Sequence, residues 1–184
     1  MALTASKPFE SNKQAPDFIL LNTVTAEFNS LADLKGENGT LILFICNHCP
    51  YVIHINTALV QIANKYQAKG INFIAISSND IVKYPQDSPE KMKALALQEN
   101  YPFPYLYDKT QEVAKAYAAA CTPDIFLFDQ DLKIYYHGQL DNSRPNSDIP
   151  VTGKDLTYAM DVLLTNSPYK GLQTPSMGCG IKWK

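Results

Sequence analysis

The run Thr40-Leu-Ile-Leu-Phe-Ile45 constrains this chain more than any other stretch. Its unbroken apolar side chains leave neither face of an extended segment for water, so it reads as a strand buried on both faces of a sheet. Cys46-Asn-His-Cys-Pro50 follows, and then a helix to about Lys69 with Val52, Ile55, Leu59, Ile62, Ala63 and Tyr66 as its apolar stripe. Gly70 ends that helix, and Asn72–Ser77 reads as a second buried strand. Strands of this kind need a layer of helix on each side.

The remaining segments continue the alternation. Asp17–Asn22 reads as a first strand, with Glu27–Ser30 as its partner, and Ser30–Gly36 as one helical turn. Ser88 caps a helix that opens on Pro89. Pro104–Tyr107 is a short strand and Thr110–Ala120 a helix. Ile125–Asp129 and Lys133–Gln139 form a hairpin around Gln130-Asp131, and Thr152–Leu164 is a last helix capped by Thr152. Beyond residue 40 the order is β-α-β-α-β-α-β-β-α. That order predicts a three-layer α/β fold: a mixed central sheet, helices on both faces and an N-terminal strand extension. One domain is expected over residues 15–166, between a flexible stretch 1–14 and an aperiodic, Pro/Gly-rich tail 167–184.

Composition excludes several functions. Sixteen basic against eighteen acidic residues give a net charge of −2, so neither nucleic acid nor an anionic membrane is an expected partner. The apolar run Leu41–Cys46 is too short to cross a bilayer. The N-terminus has no positive segment followed by an apolar one, so the expected location is cytoplasmic. Four cysteines in 184 residues are too few for a secreted disulfide framework, and close spacing then points to redox or metal chemistry.

Cys46-Asn-His-Cys49 carries that chemistry. The preceding strand is expected to deliver Cys46 to the N-cap of the helix, where free N–H groups and the macrodipole favour a thiolate. Cys49, one turn in, is placed to close a disulfide, and His48 can add positive charge or a hydrogen bond to the Cys46 sulfur. Such a dithiol is its own redox carrier, so no cofactor or metal is required. Half a zinc site is the competing reading. A structural zinc site usually needs a second close pair of ligands, and Cys121 and Cys179 are isolated in the sequence. Cys46, Cys49, Cys121 and His48 together offer a soft-metal set for Cu(I) or zinc.

Cys121-Thr122-Pro123 lies between a helix and a strand. A proline there can be cis, with Thr122 and Pro123 offering backbone groups to an extended substrate beside the disulfide. Cys121 is either a third redox thiol or a small buried apolar residue. Cys179, between glycines in the tail, is a further thiol without a catalytic assignment. His54 and His137 read as surface residues. Arg144, the one arginine, reads as a partner for Asp141 or Asp148 or, alternatively, as a cation near the thiols.

These residues resemble a thioredoxin-fold protein. Ala15-Pro-Asp-Phe18 and Leu31-Ala-Asp-Leu-Lys-Gly36 are similar to the redoxin branch, the alkyl hydroperoxide reductase/thiol-specific antioxidant group with its thiol-disulfide oxidoreductase relatives. Cys46-Asn-His-Cys-Pro-Tyr-Val52, Tyr101-Pro-Phe-Pro-Tyr-Leu-Tyr-Asp108, Cys121-Thr-Pro-Asp124 and Gly178-Cys-Gly-Ile-Lys-Trp-Lys184 resemble a bacterial subgroup of thioredoxin-like proteins. The resemblance implies an attacking thiol at Cys46, a resolving thiol at Cys49 and a cis-proline at Pro123. It also implies a protein or small-molecule disulfide as substrate, a separate thiol reductant, and a monomer or weak homodimer. Asn47-His48 departs from the Gly-Pro of thioredoxin. A histidine before the second cysteine is similar to protein disulfide isomerases and periplasmic disulfide oxidases, which implies an oxidising couple. A thiol-dependent peroxidase is the rival. The peroxiredoxin pattern Pro-x-x-x-Thr/Ser-x-x-Cys requires a proline and a hydroxyl, where this chain has Gly39 and Leu43 before Cys46, and Ile42 and Cys46 before Cys49.

Overall fold

A computed structural model describes residues 3–8 and 13–184. In chain order the elements are β1 (Leu3–Ala5), β2 (Ile19–Asn22), β3 (Phe28–Ser30), α1 (Leu31–Leu34), β4 (Gly39–Phe44), α2 (Pro50–Gln67) and β5 (Ile71–Ser77). After a 3-10 turn at Pro85–Asp87 come α3 (Pro89–Gln98), β6 (Tyr105–Tyr107), α4 (Glu112–Ala116), β7 (Cys121–Thr122) and β8 (Asp124–Phe128). β9 (Ile134–His137), α5 (Lys154–Leu163) and β10 (Met177–Gly180) complete the chain.

Among the described residues the central sheet has the order β3-β2-β6-β5-β4-β8-β9. β4 and β6 run parallel to β5, and the remaining neighbours are antiparallel, so the sheet is mixed as expected. All six residues of β4 are buried. The pleat sends Leu41, Leu43 and Ile45 into one core, with Val52, Ile55 and Leu59 of α2 and Leu156 and Met160 of α5. Ile42 and Phe44 enter the opposite core, with Leu31 of α1, Ala114 of α4 and Tyr117. Full burial of each such Leu or Ile stabilises the fold by about 1.5–3 kcal/mol, which makes β4 the anchor of both cores.

Three boundaries differ from the expectations, each for a local reason. The long helix begins at Pro50, so Cys49, not Cys46, is its N-cap. Proline lacks an N–H and has its φ preset for the first helical position, and that fixes the start. The helix expected over Thr110–Ala120 shrinks to Glu112–Ala116. Ala118 adopts φ +52, and the N–H groups of Ala118 and Ala119 close on the carbonyls of Lys115 and Ala114, a Schellman stop that releases the chain into β7. α5 is preceded by Gly153 at φ +66 in place of Thr152.

The chain ends contribute structure beyond the sequence reading. Of the stretch 1–14, residues 1–2 and 9–12 lie outside the described residues, and Leu3–Ala5 forms β1. In the tail, Met177–Gly180 forms β10. It pairs with β1 on one side and β7 on the other, making a small side sheet of order β1-β10-β7.

Candidate active site

β4 ends at Phe44 and α2 begins at Pro50, so the intervening turn holds Cys46 and Cys49 at the C-terminal edge of the sheet. All four cysteines are buried thiols. Cys46 is 1% and Cys49 0% exposed, so the pair is shut away from solvent. The neighbouring Cys49 sulfur, burial and the nearby negative charge of Asp87 all raise the pKa of Cys46. Cys49 is held low. The Cys46 S–H outweighs the burial that opposes ionisation, and Thr122, the Cys179 thiol and the Val52 backbone N–H add to it. The helix terminus expected to act on Cys46 therefore acts on Cys49. One contact works against it: the Cys49 sulfur lies 3.0 Å from the Thr122 carbonyl oxygen, to which a Cys49 thiol donates.

The Thr122–Pro123 peptide is cis, as the sequence suggested. The Thr122 hydroxyl lies 3.5 Å from the Cys46 sulfur and 3.5 Å from the Cys179 carbonyl oxygen. Register pairs Thr122 with Cys179 and Cys121 with Gly180, and it brings the tail cysteine over the pair. The Cys179 pKa is raised by burial and by the neighbouring Cys49 sulfur. Cys121 directs its S–H to the carbonyls of Pro123 (3.5 Å) and Ser176 (4.0 Å), and burial raises its pKa.

His48 turns to a residue that the sequence reading did not single out. Its Nδ1 lies 2.7 Å from Asp87 Oδ2, and its ring stacks on Tyr84. Asp87 is fully buried, and its carboxylate also accepts the Asn47 N–H (2.9 Å) and the Asn79 side-chain amide (2.8 Å). Tyr105 donates to Asn47 Oδ1 at 3.1 Å, and burial followed by the Cys46 charge raises the tyrosine pKa. Asp87 sits in a polar turn forty positions beyond Asn47, a separation that no local spacing rule spans. Cys46, His48 and Asp87 bring a sulfur, an imidazole nitrogen and a carboxylate oxygen within 4.8 Å of one another, a donor set suited to a zinc-type ion.

Other expectations need correction. The side chain of His137 is only 7% exposed, with Nε2 2.8 Å from Asp124 and its ring stacked on Phe126. His54 is half-buried and lines a cavity with Tyr51, Pro123 and Arg144. Arg144 binds neither expected carboxylate through its guanidinium. It donates to the carbonyls of Asp141 (2.8 Å) and Ser143 (2.6 Å) and to Gln139 Oε1 (2.6 Å).

Residues 11–137 match the AhpC/TSA family, and the chain belongs to it. The chain is thus a thioredoxin-like redoxin, and its chemistry is thiol-based oxidation and reduction. It is similar along its whole length to the crystal structure of an uncharacterized conserved protein from Geobacillus kaustophilus. Identity is 55% and the TM-score 0.98, with 100% of this chain and 97% of that one covered. A hypothetical protein from Sinorhizobium meliloti is 41% identical with a TM-score of 0.95, over 98% of each chain. The peroxidoxin BcpB from Mycobacterium tuberculosis, 15% identical over 86% of this chain and 98% of its own, shares the fold with a TM-score of 0.64. No curated protein matches the chain.

Proposed function

We propose that this protein is a thiol-disulfide oxidoreductase in which Cys46 attacks a substrate disulfide and Cys49 resolves the product. The observation that carries the reading is the placement of both cysteines at the strand–helix turn, where Thr122 touches each sulfur, its hydroxyl 3.5 Å from Cys46 and its carbonyl oxygen 3.0 Å from Cys49. Cys46 loses its proton and attacks one sulfur of the substrate disulfide; that bond breaks, and the other substrate sulfur leaves as a thiolate that takes up the proton. Cys49, whose proton goes to the second substrate sulfur, then attacks Cys46. The Cys46–Cys49 disulfide forms, and the second substrate thiol is released. Two electrons move from the dithiol to the substrate, and a separate thiol reductant restores the pair. The proposed substrate is a protein or small-molecule disulfide. Because both sulfurs are buried, a protein substrate requires a local opening of the site.

A Cys49→Ser variant tests this. It is expected to accumulate mixed disulfides on Cys46 in cells, visible by non-reducing separation and mass spectrometry. Failure of the wild type to form a Cys46–Cys49 disulfide under mild oxidation overturns the reading.

The closure of the site favours a second reading, a thiol peroxidase, because a small peroxide reaches a covered sulfur more readily than a protein does. Peroxide turnover that depends on Cys46 and outpaces reduction of a model protein disulfide decides for it.

A further inference from the structure

We propose that Cys179 is a third redox thiol, which exchanges with the Cys46–Cys49 disulfide to give a Cys49–Cys179 disulfide and a free Cys46. The inference rests on the oxidoreductase reading above for its starting disulfide.

Three independent features place Cys179 for this role. The first is position: strand register sets Cys179 opposite Thr122, whose carbonyl oxygen lies 3.0 Å from the Cys49 sulfur, and Cys49 and Cys179 lie in the same buried core. The second is the way the strand is held. β10 is pinned from both sides, by Leu3–Ala5 and by Cys121–Thr122, so the thiol is carried on a paired strand. The third is the glycine beside it. A Cβ on Gly178 would lie 2.0 Å from the Thr122 carbonyl oxygen and 2.7 Å from its carbon, so only glycine lets β10 come this close to the segment that touches both Cys46 and Cys49. Cys179 itself is 4% exposed, so solvent is largely excluded from it.

The step balances without an external oxidant. The Cys179 sulfur attacks the Cys49 sulfur of the Cys46–Cys49 disulfide. The Cys49–Cys179 bond forms, the Cys46–Cys49 bond breaks, and Cys46 leaves with the electron pair. The proton given up by Cys179 is taken by Cys46, so the number of thiols and disulfides is unchanged. The outcome is a stored oxidising equivalent on the C-terminal strand and an attacking thiol at Cys46 that is again free.

Mild diamide oxidation, alkylation of remaining thiols, digestion and mass spectrometry read the pairing directly. In wild type we expect both Cys46–Cys49 and Cys49–Cys179 peptides. The latter should reach about a tenth or more of the Cys49-linked material, an exchange equilibrium within roughly tenfold of unity. In Cys46→Ser, and in Cys46→Ala should the serine variant fail to fold, Cys49–Cys179 is expected as the main disulfide. Cys179→Ser should retain Cys46–Cys49 alone. A wild type that forms Cys46–Cys49 while neither Cys46 variant forms Cys49–Cys179 overturns the exchange and leaves the oxidoreductase reading standing. Absence of Cys46–Cys49 in wild type, with Cys49–Cys179 present in the Cys46 variants, overturns that reading instead.

Discussion

The imidazole of His48 faces the carboxylate of Asp87 at 2.7 Å, although His48 stands between the two cysteines in the sequence. Asp87 is fully buried and the His48 side chain is 16% exposed, so the pair lies largely out of solvent beside the Cys46 sulfur. The negative member raises the Cys46 pKa. The positive form of His48 offsets that charge. His48 thus acts on Cys46 through Asp87, a different route from the direct contact that the C-x-x-C spacing suggested.

Removal of His48 takes the imidazole away from the Asp87 carboxylate. In His48→Ala the Cys46 thiolate becomes less stable and the Cys46–Cys49 couple less oxidising. A fall of about 30 mV corresponds to about 1.4 kcal/mol lost from the reduced state. Equilibration against a glutathione buffer measures it. An unchanged potential means that His48 contributes no net charge at the sulfur.

Asp87→Asn is expected to act in the opposite direction. It deletes the negative neighbour, and a charge within about 4–6 Å of a thiol shifts its pKa by about 1 unit or more. In a Cys49→Ser background, where Cys46 titrates alone, the midpoint of its alkylation rate against pH should fall. The same substitution weakens the hydrogen bonds from Asn47 and Asn79 to a charged acceptor, worth about 1.5–3 kcal/mol each, so the variant also unfolds at lower urea. A midpoint that rises or stays put refutes the electrostatic role.

The sequence conveys the sheet centre and the chemistry far better than the surroundings of the thiols. β4, β5 and the stripe of α2 are legible because burial on two faces, or on one helical face, leaves a period in the residues themselves. Ser88 with Pro89 is legible because a cap and a first-turn proline are local. Pro50 carried the same signal for Cys49 as N-cap, and the attraction of a helix-capping Cys46 hid it. Asp87 and Cys179 are not legible. Each is brought to the site by non-local pairing, Asp87 through the Asn47 and Asn79 hydrogen bonds and Cys179 through strand register with Thr122. His137 misleads for a similar reason: its ring is buried by Phe126 and Asp124 of a neighbouring strand.

Asp141 links stability to pH. Burial alone would raise its pKa, but donation from Ser143, Gly153 and Thr152 outweighs burial and holds it below the usual carboxylate value. The Gly153 and Thr152 N–H groups each lie 2.6 Å from Oδ2. A depressed carboxylate contributes stability that is fully present above the unfolded pKa of about 3.9 and is lost as pH falls through the folded value. Asp141→Ala should lower the unfolding free energy by about 2–3 kcal/mol at neutral pH. The gap from wild type should close as pH drops below about 4. A gap that persists unchanged into acid shows that packing, not the charge, is what Asp141 supplies.

Gly178→Ala tests how closely the last strand must approach the thiols. The added Cβ would meet the Thr122 carbonyl oxygen at 2.0 Å and the carbonyl carbon at 2.7 Å, which are backbone atoms with no rotamer to yield. Either β10 parts from β7 or the Thr122–Pro123 segment moves, and overpacking of this kind costs about 1–3 kcal/mol. Gly180→Ala serves as the comparison, because its Cβ would come nearest to the Thr4 side-chain oxygen, at 3.0 Å, and would stay 3.9 Å from the Ala120 carbonyl oxygen. The urea midpoint is expected to fall further for Gly178→Ala than for Gly180→Ala. After mild oxidation the former should keep Cys46–Cys49 and lose most Cys49–Cys179, while the latter keeps both. Equal loss in the two variants would mean that general slackness of the strand governs the third thiol, and that close approach at Thr122 does not.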